Sequence, residues 1–151
     1  MNDKKKTIII ANDHAAIDLR EKLVDFFEQQ GFSIISFGPK EEVSVDYPDI
    51  AKEACDYYLS HRDKCEFGIL LCGTGIGMSM VANAFKGIRC AVVHDIFTAT
   101  YAKKHNHANF IALGSRVKLG DDLLKIVSAF QDAEVELGRH EKRVAKIEAV
   151  K

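Results

Sequence analysis

The run Cys72-Gly73-Thr74-Gly75-Ile76-Gly77 places a sulfur and a hydroxyl among three glycines within five positions. Glycines let the backbone approach a ligand closely and aim successive N–H groups at an anion. A helix starting after such a loop adds the positive end of its dipole. Two chemistries fit: holding a ground-state phosphate, or stabilising an oxyanion as it develops. A thiol that opens the loop has its thiolate favoured by the neighbouring N–H groups and by the helix N-terminus, so Cys72 would serve as a nucleophile or as a general base. Other loops of this kind are excluded. The spacing G-x-G-x-G is not G-x-G-x-x-G, and it follows the third strand-like run rather than the first, so it is not a dinucleotide fingerprint. It lacks the Gly-Lys-Ser/Thr ending of a P-loop, and Met78 stands where a cysteine phosphatase would need arginine.

Gly138-Arg139-His140-Glu141-Lys142-Arg143 is the second group. Arg139 and Arg143 are four apart, so on a helix they share a face and could grip one dianion. Alone, the segment reads rather as a solvated basic turn. Arg116 is a further candidate anion ligand. Among the histidines, His14 follows Asp13 at the end of a strand-like run, and His105-Asn106 closes a helical pattern; His61, His94 and His107 have no comparable support. No pair has metal-ligand spacing on one helix, so no metal is inferred.

These residues must be positioned by alternating elements. Thr7–Ala11 is a β-branched run of the kind buried on both faces of a sheet. Leu19, Leu23 and Phe26 then recur at helical spacing, with Gly31 as a terminator. Phe32–Phe37 is a second strand. Pro48 suits the start of a helix that buries Ala51, Ala54, Cys55 and Tyr58. Phe67–Cys72 is a third strand, Met78–Phe85 a short helix and Ile88–Val93 a fourth strand. Asp95 can cap the helix carrying Ala99 and Ala102. Phe110–Leu113 is a fifth strand, followed by a helix over Asp121–Asp132 that buries Leu123, Val127 and Phe130, and a last helix from near Arg139. Strands alternating with helices predict crossover units and a five-stranded parallel sheet: a three-layer α/β/α sandwich, Rossmann-like in plan, with residues 1–151 forming a single domain. Ligands of such sheets bind beyond the C-terminal strand ends, where Asp13-His14, Cys72–Gly77 and Arg116 fall.

Composition bounds the partners. Of 151 residues, 47% are hydrophobic and 28% charged, and the formal net charge is −1. Basic residues concentrate only at Lys4-Lys5-Lys6, too few for a nucleic-acid footprint and read as a solvated lead-in. Neither a membrane span nor a signal-peptide core is present, so the expectation is a cytoplasmic protein without a membrane partner. The four cysteines have no C-x-x-C pair. Cys55, Cys65 and Cys90 read as free structural thiols.

Taken together the motifs resemble the ribose-5-phosphate isomerase type B family, which includes galactose-6-phosphate isomerase subunits. The resemblance rests on Asp13-His14, Asp46-Tyr47-Pro48, Cys72–Gly77, Ala82-Asn83, Gly87-Ile88-Arg89, His105-Asn106, Ala108-Asn109, Gly114-Ser115-Arg116 and Gly138-Arg139-His140, in shared order and spacing along nearly the whole chain. It implies a cofactor-free aldose–ketose interconversion of a phosphorylated sugar through a cis-enediolate, as in the pentose phosphate pathway. By analogy Cys72 is the base, and Thr74 with the amides of Gly73, Gly75, Ile76 and Gly77 stabilises the enediolate. His105 helps open the sugar ring, and Asp13 and His14 hold hydroxyls. Arg139, Arg143, His140 and Arg116 bind the phosphate, while Tyr47 and Asn106 line the pocket. The resemblance also implies a homodimer, or a dimer of dimers, whose sites draw on both subunits, with the helix from about 139 packing on or across the partner. Ribose 5-phosphate is the expected substrate. A hexose 6-phosphate such as allose or galactose 6-phosphate, or a non-catalytic sugar-phosphate-binding role, is the alternative. Ala16 and Leu137, where many relatives have glycine, Ala84, where lysine is usual, and His107 beside His105-Asn106 all bear on substrate choice.

Overall fold

Ile8, Ile9 and Ile10 have no exposed surface, because β1 (Thr7–Asn12) lies inside a sheet covered on both sides. The structure, a computed structural model, describes residues 6–151. Lys4 and Lys5 of the basic lead-in lie outside the described residues, and Lys6 pairs with Glu66 at 2.7 Å. After β1 come α1 (Ile17–Gln29), β2 (Ser33–Phe37), α2 (Tyr47–Ser60), β3 (Cys65–Cys72), α3 (Ile76–Asn83) and β4 (Cys90–Val92). The chain continues through α4 (Ile96–Asn106), β5 (Phe110–Gly114), α5 (Leu123–Asp132) and α6 (Arg139–Ala149).

All four strand pairings are parallel, in the order β2-β1-β3-β5-β4. One face packs against α1, α4 and α5, with Phe67 at its centre meeting Phe27 and Phe130 edge to face at centroid distances of 5.8 and 5.3 Å. The other face packs against α2 and α3, where Ala51, Ala54, Cys55 and Tyr58 are buried as the pattern predicts. The expected α/β/α sandwich with five parallel strands is what the chain forms.

Several boundaries differ from the expectation. In α1 the buried residues are Arg20, Leu23 and Phe27, with Leu19 and Phe26 only partly covered. Arg20 is buried because its guanidinium bonds Asn12 Oδ1 (3.2 Å) and the Pro39 carbonyl (3.0 Å), bracing the end of β1. In α5 the core side is Ile126, Val127 and Phe130, and Leu123 sits at its margin. The fourth strand is only Cys90–Val92. The Asn83 side chain bonds both the N–H and the carbonyl of Cys90 (2.9 and 2.8 Å), occupying groups that a longer edge strand would leave open. Asp95 caps α4 as expected, in a capping box with Thr98.

Candidate active site

Sheet growth reverses between β1 and its two neighbours: β2 is added on one side and β3 on the other. The crevice beyond the strand ends opens at that switch point. Cys72 is the last residue of β3, opposite Gly114 of β5, and Leu71 faces Asn12 of β1. Beyond it lies an open cleft of about 430 Å³ lined by Asp13, Tyr47, Cys72, Gly73, Thr74, Ile76, Gly77, Met80 and Arg116. All but Met80 were singled out from the sequence.

The turn is built around the sulfur. Gly75 N–H donates to Cys72 Sγ at 3.1 Å, and Ile76 N–H donates to Thr74 Oγ1 at 3.2 Å. Helix α3 begins at Ile76, two residues before the expected start, because Gly75 takes up the left-handed cap (φ 78°). The loop after β5 is tied to the same turn: Ser115 N–H bonds the Cys72 carbonyl and Arg116 N–H the Gly73 carbonyl, each at 2.9 Å. The Arg116 side chain consequently lies over Gly73, where a Cβ would sit 3.5 Å from its Cδ. Tyr47 lies over Gly77, where a Cβ would come within 2.5 Å of the Tyr47 ring.

Asp13 accepts from Ala15 N–H at 2.8 Å, and its own N–H bonds the Leu71 carbonyl, so it is fixed beside the cysteine strand. His14 Nδ1 accepts from Val45 N–H at 3.2 Å, which pins the segment leading to Tyr47. Ser115 Oγ is buried without a hydrogen-bond partner among the described residues.

The remaining candidates form a second group elsewhere. Helix α4 runs antiparallel to the strands, so His105 and Asn106 at its C-terminal end lie near the start of β5, whereas Cys72 pairs with its last residue. That strand alone spans about 13 Å. There the rings of His105 and His140 stack, with centroids 4.0 Å apart and planes 6° from parallel. Arg139 Nε donates to His140 Nε2 at 3.3 Å. Arg139 and Arg143 occupy the first and second turns of α6. Within one chain the structure therefore does not bring Cys72 together with His105, Asn106, Arg139, His140 and Arg143.

Burial, reinforced by the neighbouring cations and His105, holds the His140 imidazole below its ordinary value, while Glu136 opposes the shift. A hydrogen bond from Lys104 lowers the Glu136 carboxyl. The other cysteines behave as structural thiols: burial pushes Cys55 up to about 12 and raises Cys65 and Cys90 as well.

Two residues, Met80 and Glu136, escaped the sequence reading, and Arg89 was quoted only within a motif and given no role. Met80 lines the cleft one helical turn after Ile76. Arg89 donates to the carbonyls of Asn106 and His107 at the end of α4 and pairs with Glu148 at 2.9 Å. Glu136 lies 3.4 Å from His105 and 3.5 Å from His140; its spacing of four from His140 was the available signal.

Residues 8–147 match the model of a family described as Ribose/Galactose Isomerase. A protein of Pectobacterium atrosepticum named D-erythrulose-4-phosphate isomerase is 45% identical over 93% of this chain and 92% of its own length. A probable ribose-5-phosphate isomerase B of Mycoplasma pneumoniae is 41% identical over 93% of this chain and 91% of its own. Among solved structures, the ribose 5-phosphate isomerase of Thermotoga maritima superposes with a TM-score of 0.89 at 41% identity, covering 95% of this chain and 98% of that one. The chain belongs to the ribose/galactose isomerase family of sugar-phosphate isomerases.

Proposed function

We propose that the protein interconverts ribose 5-phosphate and ribulose 5-phosphate in the cytoplasm, with Cys72 as the base. The observation that carries this reading is Cys72 Sγ set at the mouth of its own amide turn, 3.1 Å from Gly75 N. A proton alpha to a carbonyl is weakly acidic, so its removal needs a positioned base together with donors for the developing charge. The Cys72 thiolate takes the C2 proton, the C1=C2 bond forms, and the former carbonyl oxygen becomes an enediolate oxygen. The amides of Gly73–Gly77, with Thr74, stabilise it. The thiol returns the proton to C1 as the C2 oxygen becomes the ketone, its hydroxyl proton passing to O1. Asp13, His14 and Tyr47 orient the hydroxyls. No step requires a nucleotide.

The phosphate and the ring-opening histidine come from a second copy in this reading. His105, Asn106, Arg139, His140 and Arg143 stand at the opposite end of the sheet from Cys72, so a two-fold dimer is needed to complete each site. Exposed Ile76 and Met80 on α3, and Ile96 and Phe97 on α4, supply apolar surface for that contact.

Cys72→Ala should abolish isomerisation, by roughly a thousandfold or more, while sugar-phosphate binding persists in calorimetry. Retained turnover would remove Cys72 as the base. The 45% identity to a protein named for a four-carbon sugar phosphate favours a second reading, a shorter substrate. Comparing kcat/KM across tetrose, pentose and hexose phosphates decides between them.

A further inference from the structure

Glu136 belongs to none of the motifs above, yet it is the most heavily tethered residue of the connection between α5 and α6. Its N–H donates to the Lys104 carbonyl at 2.8 Å, and its own carbonyl lies 2.7 Å from His107 Nε2. Both backbone groups are thus fastened to the C-terminal end of α4. Its side chain turns to the same place. Oε1 accepts from Lys104 Nζ at 3.0 Å, while Oε2 lies 3.4 Å from His105 Nε2 and 3.5 Å from His140 Nε2.

These distances select one proton arrangement. His140 Nε2 accepts from Arg139 Nε, so in that state it presents a lone pair and its proton sits on Nδ1. A carboxylate oxygen facing two imidazole nitrogens needs a proton on at least one of them. With His140 Nε2 occupied as an acceptor, that proton is on His105 Nε2, and in the neutral imidazole Nδ1 then carries the lone pair.

The same three groups lie within 4.8 Å of one another and could be read as metal ligands. Ring geometry argues otherwise. Imidazole lone pairs lie in the ring plane, and two nearly parallel rings stacked 4.0 Å apart do not direct theirs at one point. Lys104, Arg139 and Arg143 also surround the site with positive charge.

We propose that Glu136 is a positioning residue: its carboxylate holds His105 as the Nε2–H tautomer with Nδ1 free to act as a base. This rests on the reading of His105, Arg139 and Arg143 as the ring-opening and phosphate-binding half of an isomerase site. It parallels the carboxylates that orient catalytic or metal-bound histidines elsewhere.

The test is ¹⁵N-resolved NMR of the imidazoles in the full-length protein, paired with steady-state kinetics of Glu136→Gln and Glu136→Asp. The wild type should show His105 protonated at Nε2, and Glu136→Gln should shift it toward a mixture of tautomers. In that variant kcat should fall about tenfold or more, with KM changed much less, and Glu136→Asp should recover most of the loss. His105 protonated at Nδ1 in the wild type overturns the proposal, as does an unchanged tautomer in Glu136→Gln. Stoichiometric zinc binding by the wild type that disappears in Glu136→Gln would overturn it in favour of a metal site. The tautomer measurement needs no turnover and can be made on the wild type alone. It therefore stands if Glu136→Gln fails to fold. A wild type inactive on every sugar phosphate would sink the isomerase reading while leaving the tautomer result intact.

Discussion

The Gly75 amide points at the Cys72 sulfur from 3.1 Å, and it does so from a left-handed backbone conformation, φ 78°. A Cβ at position 75 would stand 3.0 Å from the Leu113 backbone nitrogen, near the end of β5. The amide donor to the sulfur therefore depends on a residue without a side chain. Gly75→Ala should cost about 1–2 kcal/mol of stability from the backbone conformation alone. It should also depress kcat more than KM. Urea unfolding and steady-state kinetics on the same preparation check both, and an unaltered kcat would show that this amide does not assist the Cys72 sulfur.

The four thiols should separate by reactivity. Cys55 is pushed up to about 12 by burial, and Cys65 and Cys90 are raised too, whereas Cys72 opens onto the cleft beside an amide donor. Iodoacetamide at mildly alkaline pH should label Cys72 first and Cys55 and Cys90 last, as read by peptide mass spectrometry. Saturating ribose 5-phosphate should slow labelling of Cys72 alone.

Tyr47 covers Gly77 so closely that a methyl group there would meet its ring at 2.5 Å. The obstacle is the end of a side chain rather than backbone, so Gly77→Ala should fold with a stability change within about 1 kcal/mol. The displaced ring should raise KM for the sugar phosphate several-fold. A variant with wild-type KM would indicate that Tyr47 does not contact substrate.

His140 makes stability depend on pH in a definite direction. Its folded value lies below its ordinary 6.5, through burial first and then through His105, Arg139 and Arg143. The unfolded chain therefore binds the proton more readily, and stability is full above 6.5 and falls as pH drops toward the folded value. Unfolding midpoints compared at about pH 7.5 and 5.5 should fall less in His140→Asn than in the wild type. Equal slopes would show that His140 is not held neutral.

A shared site predicts complementation. Cys72→Ala and Arg139→Ala should each be inactive or nearly so, yet subunit exchange between them rebuilds one intact site in every mixed dimer. Random exchange would restore up to about a quarter of wild-type activity. No recovery after exchange confirmed by native mass spectrometry would mean that both halves act within one chain.

Much of this was readable because it is local. The burial of Ile8–Ile10, the cap at Asp95, the helix start at Pro48 and the Cys72–Gly77 turn each follow from the chemistry of a few neighbouring residues, and each formed as expected. Helix faces were less certain by one position, as with Phe26 and Phe27, because a hydrophobic pattern defines a stripe while packing on Phe67 selects the residue at its centre. The residues lining the Cys72 cleft were likewise visible along the chain apart from Met80, whereas Glu136 was not. What depended on the folded arrangement was how the candidate residues divide. Because α4 returns antiparallel to the sheet, His105 is carried to the end opposite Cys72, and Glu136 comes to lie between His105 and His140. Those distances arise from strand order and helix direction, which contacts between residues far apart in sequence establish.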